Sequence, residues 1–189
     1  MKSILYIGGI TNSGKSHLLM SVKDSLKEAR TSISFVDFSS LLRTKFKELS
    51  GQNDFRRLKQ DRLLLLAADN ATAALLDTQP VLVTGHYFYQ TPEGRQVYEK
   101  PFFQISPCIA FLHLVCEPST LIERLSERGL SVPIDKLIDD LEFSLNQAKS
   151  ISQRCHTPLH LLQNDKSPDL AANVTFVNSL LKQAGLLEK

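Results

Sequence analysis

Gly9-Ile10-Thr11-Asn12-Ser13-Gly14-Lys15-Ser16 has the form G-x-x-x-x-G-K-S, the spacing of a loop that wraps the phosphates of a nucleotide. Each part has a physical task. Gly9 and Gly14 let the backbone turn through conformations closed to other residues and pass close to a ligand. The turn then aims successive backbone N–H groups inward as a nest for phosphate oxygens. Lys15 adds a cation over the outer phosphates, and the Ser16 hydroxyl is placed to hold Mg²⁺.

The flanks supply the context such a loop needs. Ile4-Leu5-Tyr6-Ile7 before it is short, apolar and partly β-branched, which reads as a buried strand. Behind it, Leu18, Val22 and Leu26 recur at helical spacing with Leu19 widening the stripe, so a helix is expected from Gly14 to about Ala29. The positive end of that helix would point at the phosphates. A loop of this kind is expected at the surface.

The 189 residues favour a single domain with a sizeable core. With 42% hydrophobic and 22% charged residues, the composition is that of a globular protein. A net charge of +2 argues for neither a nucleic-acid nor a membrane partner. No apolar run approaches the roughly 20 residues that span a bilayer. Because the chain enters a strand within a few residues, no signal peptide is expected. Cys108, Cys116 and Cys155 are odd in number and lack metal-ligand spacing, which fits reduced core thiols and a cytoplasmic location.

Along the chain, Ile33 to Phe38 reads as a second strand, with Ser39 and Ser40 placed to cap the next helix. That helix carries Leu41, Leu42, Phe46 and Leu49 and stops at Gly51. A long helical stretch follows from Asp54 to about Asp77, basic at first (Arg56, Arg57, Lys59, Arg62) and then leucine- and alanine-rich. Its basic run serves equally as a solvated face or as a grip on an anionic substrate. Val81 to Thr84 is a third strand, apolar enough for the centre of a parallel sheet. The segment Gly85-His86-Tyr87-Phe88-Tyr89 leaves that strand at the end where α/β sheets bind ligands. His86 and Tyr87 are therefore acceptor-binding candidates, although the aromatic residues suit a core edge as well.

Cys108 to Cys116 is the fourth strand, with His113 inside it as a packed, hydrogen-bonded residue. Glu117-Pro118 opens a helix ending at Gly129, and Arg124 and Arg128, four apart, are expected on one face. Pro133 opens another helix running to about Ser152, with Ile134, Leu137, Ile138, Leu141, Leu145 and Ala148 in period. Pro158 to Leu162 is a fifth strand, and the last helix begins at Ser167-Pro168-Asp169. Strand and helix thus alternate, with a helical insertion after the second strand. The fold expected is α/β, a three-layer α/β/α P-loop sandwich around a five-stranded parallel sheet, in one domain spanning 1–189.

In this order of elements the chain resembles small P-loop kinases, specifically the archaeal-type adenylate kinases among the nucleoside monophosphate kinases. The resemblance rests on Gly9 to Ser16, Val36-Asp37-Phe38, Phe55-Arg56-Arg57-Leu58, Leu82-Val83-Thr84-Gly85-His86 with Thr91-Pro92-Glu93-Gly94, Leu121-Ile122-Glu123-Arg124-Leu125, and Leu162-Gln163-Asn164. It implies transfer of the γ-phosphoryl of Mg-ATP to a nucleoside monophosphate. ATP would be held by Gly9, Thr11, Asn12, Ser13, Gly14, Lys15, Ser16 and His17, with Gln163 and Asn164 against the adenine. Arg56 or Arg57, in an insertion at about 39–78, would hold the acceptor phosphate. Arg124 and Arg128, around a short lid at about 126–134, would neutralise the transferring group. Such roles suit phosphoryl transfer, which needs in-line positioning and surrounding cations more than covalent help.

Two departures stand out. The related kinases usually carry Asp where this chain has Thr84, so the metal shell would fall to Ser16 with Asp37, or Glu117, as substitute. The lid segment between Arg128 and Ile134 contains no further arginine, which predicts weak exclusion of water and some ATP hydrolysis. A non-nucleotide small-molecule acceptor, phosphorylated or hydroxylated, and an ATP-dependent binding protein without acceptor are the alternative readings.

Overall fold

The computed structural model describes residues 1–27, 31–52, 61–91 and 94–187. Arg56, Arg57, Lys59, Pro92 and Glu93 lie outside them. In chain order the elements are β1 (Ile4–Gly8), α1 (Lys15–Ser25), β2 (Ser34–Asp37), α2 (Phe38–Ser50), α3 (Asp61–Asp77), β3 (Val81–Thr84), β4 (Tyr89–Thr91), β5 (Gly94–Gln96), α4 (Lys100–Ile105), β6 (Ala110–Val115), α5 (Pro118–Ser126), α6 (Ile134–Arg154), β7 (Leu159–Gln163) and α7 (Ser167–Gln183).

Five strands form one sheet in the order β2-β3-β1-β6-β7, every neighbouring pair parallel. The expected fold class is therefore the one observed. Its two faces follow from strand alternation, because successive side chains leave a strand on opposite sides. Ile4 and Tyr6 of β1 and Phe111 of β6 pack with residues of α2, α3, α4 and α6. Leu5, Ile7, Leu112 and Leu114 face the other way, against α1 and α7. A smaller cluster joins Ile10 to Leu121 and Leu125 of α5 and Leu137 of α6. Burying each such side chain fully contributes about 1.5–3 kcal/mol, so the sheet is held from both faces.

Local details correct several expectations. The cap of α2 is Asp37, whose Oδ1 accepts the N–H groups of Ser39 (2.9 Å) and Ser40 (3.3 Å). The two serines lie in the first turn and supply donors instead of capping. Gly51 ends α2 in the left-handed region at φ 70°, as a C-terminal glycine does. The antiparallel pair β4·β5 and the short helix α4 were not anticipated. Elements of three and six residues are too short to show a period. His113 is buried, but its Nδ1 finds no partner among the described residues; its ring packs against Tyr87 at 5.5 Å. All three cysteines are buried and unpaired. No helix of the described residues is long and apolar enough to cross a membrane.

Candidate functional site

The loop between β1 and α1 opens into a cleft of about 430 Å³ along the carboxyl edge of the sheet. Sheet order decides which groups meet there. The P-loop follows the central strand β1, so β2 and β3 deliver Asp37, Thr84 and His86 on one side. The ends of β6 and β7 bring Arg124, Asn164 and Asp165 to the other. Thr11, Asn12, Gly14, Lys15, Ser16 and His17 form the middle.

Gly9, Asn12 and Gly14 hold the loop shape, with φ of 146°, 65° and 92°. Positive φ is native to glycine and tolerated by asparagine. The Ser13 side of the loop is pinned from outside. Asn164 Nδ2 donates to the Ser13 carbonyl at 2.8 Å, and Cys116 Sγ reaches the same oxygen at 3.4 Å. Arg124 serves as a bridge: its guanidinium donates to the carbonyls of Asn12 (3.3 Å), Asn164 (2.8 Å) and Asp165 (3.2 Å). One lid candidate thus ties the phosphate loop to the loop after β7. Arg128 falls beyond α5, which ends at Ser126, so the two arginines do not share a helical face as expected; both still line the cleft.

Lys15 is not at the surface. It is 8% exposed, and its Nζ donates to the carbonyls of Gly9 (2.9 Å) and Ile10 (2.5 Å). Burial pulls its pKa down to about 7, against the attraction of Asp37. A neutral amine still has two N–H groups for those two carbonyls. The folded value lies below the unfolded one, so this group's contribution to stability rises with pH between about 7 and 10.5. An incoming phosphate would favour the charged form. Binding of ATP at pH 8 is therefore expected to take up a proton, read by calorimetry in buffers of different ionisation enthalpy. Uptake that persists in Lys15→Met would assign the proton elsewhere.

His86 sits where the β3 side of the cleft meets the loop. Burial, then the neighbouring Lys15, lowers its pKa to about 3, and a hydrogen bond to the Gly9 backbone only partly opposes this. It is neutral at physiological pH. Tyr87, expected to contact an acceptor, is instead 1% exposed. Its ring stacks on Phe102 at 5.6 Å and its hydroxyl reaches the Leu112 carbonyl at 3.4 Å. The side chain after His86 points to the opposite side of the backbone, into the core. Gln163 is likewise displaced: exposed at the end of β7, its side chain bonds Asp165, and Asn164 is the residue of that pair lining the cleft. The candidates Arg56 and Arg57 fall outside the described residues. Glu117, the other substitute for the metal shell, caps α5 and is not among the cleft residues.

Ser39, Glu127, Lys166, Ser167 and Leu170 also line the cleft and were not singled out from the sequence. Ser39, Lys166 and Ser167 follow carboxyl ends of parallel strands, so the rule that ligands bind there was the signal that could have found them.

No protein-family model matches the chain, and no curated protein matches it. Solved structures do. A shikimate kinase from Bacteroides thetaiotaomicron is similar with a TM-score of 0.60 at 14% identity, over 95% of this chain and 98% of that one. A sugar kinase from a Janibacter species gives 0.57 at 15% identity, over 96% and 95%. The YorR protein of Bacillus subtilis, in complex with phosphorylated GDP, gives 0.57 at 16% identity, over 95% and 98%. At these identities the likeness is one of fold: the chain has the three-layer architecture of these proteins over nearly its whole length.

Proposed function

We propose that the chain is an ATP-dependent phosphotransferase acting on a small acceptor. The carrying observation is Lys15 at the floor of the cleft, at the N-terminus of α1, with polar walls on both sides of it. ATP would lie over the loop with its base toward Asn164, Asp165 and Leu170, leaving the β2 and β3 side for the acceptor. The shikimate and sugar kinases of the same fold favour this reading.

Mg²⁺ fits the residues present. No group of three or more His, Cys, Asp or Glu among the described residues is arranged to hold a metal. Magnesium does not need one, since it keeps several waters and takes substrate phosphates with one or two protein oxygens. Ser16, exposed in the cleft, would be its ligand, with Asp37 the second candidate. When bound it would neutralise charge on the phosphates. The protein's own groups position the rest. Lys15 leaves its two carbonyls for the outer phosphates, Arg124 braces the loop, and Arg128 adds charge at the rim. The stretch at about 39–78 would bind the acceptor and that at about 126–134 would act as the lid, in one domain. The three reduced thiols support the cytoplasm as its compartment.

A nucleoside monophosphate is the acceptor implied by the resemblance to archaeal-type adenylate kinases, and it rests on Arg56 and Arg57. Asp37, Ser39 and Thr84 beside a neutral His86 favour the second reading, a hydroxylated acceptor. A coupled ADP-release assay with Mg-ATP against AMP, CMP, UMP, GMP, dTMP and no acceptor tests the first. Strong stimulation by one monophosphate would establish it. Equal release with and without every acceptor in that and wider panels would reject phosphotransfer in favour of an ATPase or ATP-dependent binding protein.

A further inference from the structure

We infer that the group phosphorylated is an alcohol hydroxyl, and that the Asp37 carboxylate receives its proton; this rests on the phosphotransferase reading above. Three features of the cleft converge. Asp37 lines it at the end of β2, close enough to Lys15 to act on its ammonium. The carboxylate is fixed in place, because Oδ1 is held by the N–H groups of Ser39 and Ser40, while Oδ2 accepts no hydrogen bond from the described residues. Around it stand the hydroxyl residues Ser39 and Thr84 and the neutral imidazole of His86.

Such a wall suits an alcohol. A hydroxyl nucleophile must lose a proton as it attacks, and an oriented carboxylate with an open lone pair is the group that accepts one. Neighbouring hydroxyls and a neutral imidazole can hydrogen-bond further hydroxyls of the same molecule. A phosphate nucleophile has no such requirement, and its charge is repelled by a carboxylate at this distance from the reacting centre. The step balances. The acceptor O–H bond breaks and its oxygen bonds the γ-phosphorus. The bond from that phosphorus to the β–γ bridging oxygen breaks, its electron pair leaving with ADP. The proton passes to Asp37 and then to water.

The product's linkage tests the acceptor without requiring that it be known. The protein is incubated with Mg-[γ-³²P]ATP and two sources of acceptor, a deproteinised yeast extract and a mixture of polyols, sugars, hydroxy acids, nucleosides and nucleoside monophosphates. Labelled small molecules are then heated briefly in acid, which cleaves phosphoanhydrides and spares alkyl phosphomonoesters. Acid-stable label is expected. Acid-labile label, as from a phosphorylated monophosphate, would overturn the inference while leaving the phosphotransferase standing. Label found only in inorganic phosphate would overturn both, and label transfer undiminished in Lys15→Ala would remove the P-loop assignment beneath them.

Asp37→Asn isolates the carboxylate, because asparagine caps a helix as well as aspartate does. Transfer is expected to fall about 10²- to 10⁴-fold with an unchanged melting temperature and unchanged ATP affinity, and with loss of the acidic limb of the pH–rate profile. A rate restored by raising Mg²⁺ would make Asp37 a metal-holding residue, and a rate near wild type would make it only a cap; either result overturns its role as base.

Discussion

Lys15→Ala is expected to lower ADP release from Mg-ATP by about 10²- to 10³-fold, the range seen when a preorganised donor to developing charge is removed. The mechanism predicts where the loss appears. Lys15 Nζ rests on the Gly9 and Ile10 carbonyls in the free protein, so its contribution to the phosphates is made only after it leaves them. Weaker ATP binding and slower transfer should therefore both be seen. Stability needs separate attention, since Lys15 is buried. Truncation strands two carbonyls, at about 1–3 kcal/mol for each left dry, but it also removes a desolvated amine and admits water. Lys15→Met, which keeps most of the volume, separates the two effects. Steady-state ADP release and thermal unfolding on both variants make the check; turnover close to wild type in either would eliminate the P-loop assignment.

Gly8→Ala is expected to destabilise the protein by about 3 kcal/mol, at the upper end of ordinary overpacking. A Cβ at Gly8 would lie 2.0 Å from Tyr87 Cε2 and 2.4 Å from its Cζ. The ring cannot withdraw, being stacked on Phe102 and flanked by Tyr6 and His113. Gly8 is not among the positive-φ glycines, so the cost is steric and not conformational. For a chain of this size the loss corresponds to a fall in melting temperature of roughly 6–12 °C. Gly129→Ala is the contrasting variant: φ is +68° with nothing within 4 Å of an added Cβ, so only backbone strain of about 1–2 kcal/mol is expected. Urea unfolding of both should rank them in that order. A Gly8→Ala protein as stable as wild type would refute the packing of Tyr87 against β1.

The long apolar and loop signals were legible without coordinates. Ile4 to Ile7 and Val81 to Thr84 are β-branched and buried on both sides, and the G-x-x-x-x-G-K-S spacing sits between a strand and a helix. Such features are local, because the period of a strand or helix and the conformational demands of a loop are written within a few residues. Aromatic residues misled for a physical reason. Tyr87 and His86 are adjacent, equally suited by type to a site, yet their side chains leave the backbone on opposite sides. One lines the cleft and the other fills the core. Asp37 carried two local meanings, cap and ligand, and its hydrogen bonds show that one oxygen serves the first.

The sequence by itself determined the element types, the phosphate loop and the parallel α/β class, all of which depend on neighbours in the chain. Tertiary structure decided what depends on residues far apart. It brought Asn164 onto the Ser13 carbonyl across 151 positions and made Arg124 a brace between two loops. It buried Lys15 and gave Gly8 its steric constraint through Tyr87. Placing Asp37 opposite Asn164 across one cleft required the strand order β2-β3-β1-β6-β7. Strand order arises from how amphipathic helices cover both faces of a sheet, a global packing solution that no short window of sequence contains.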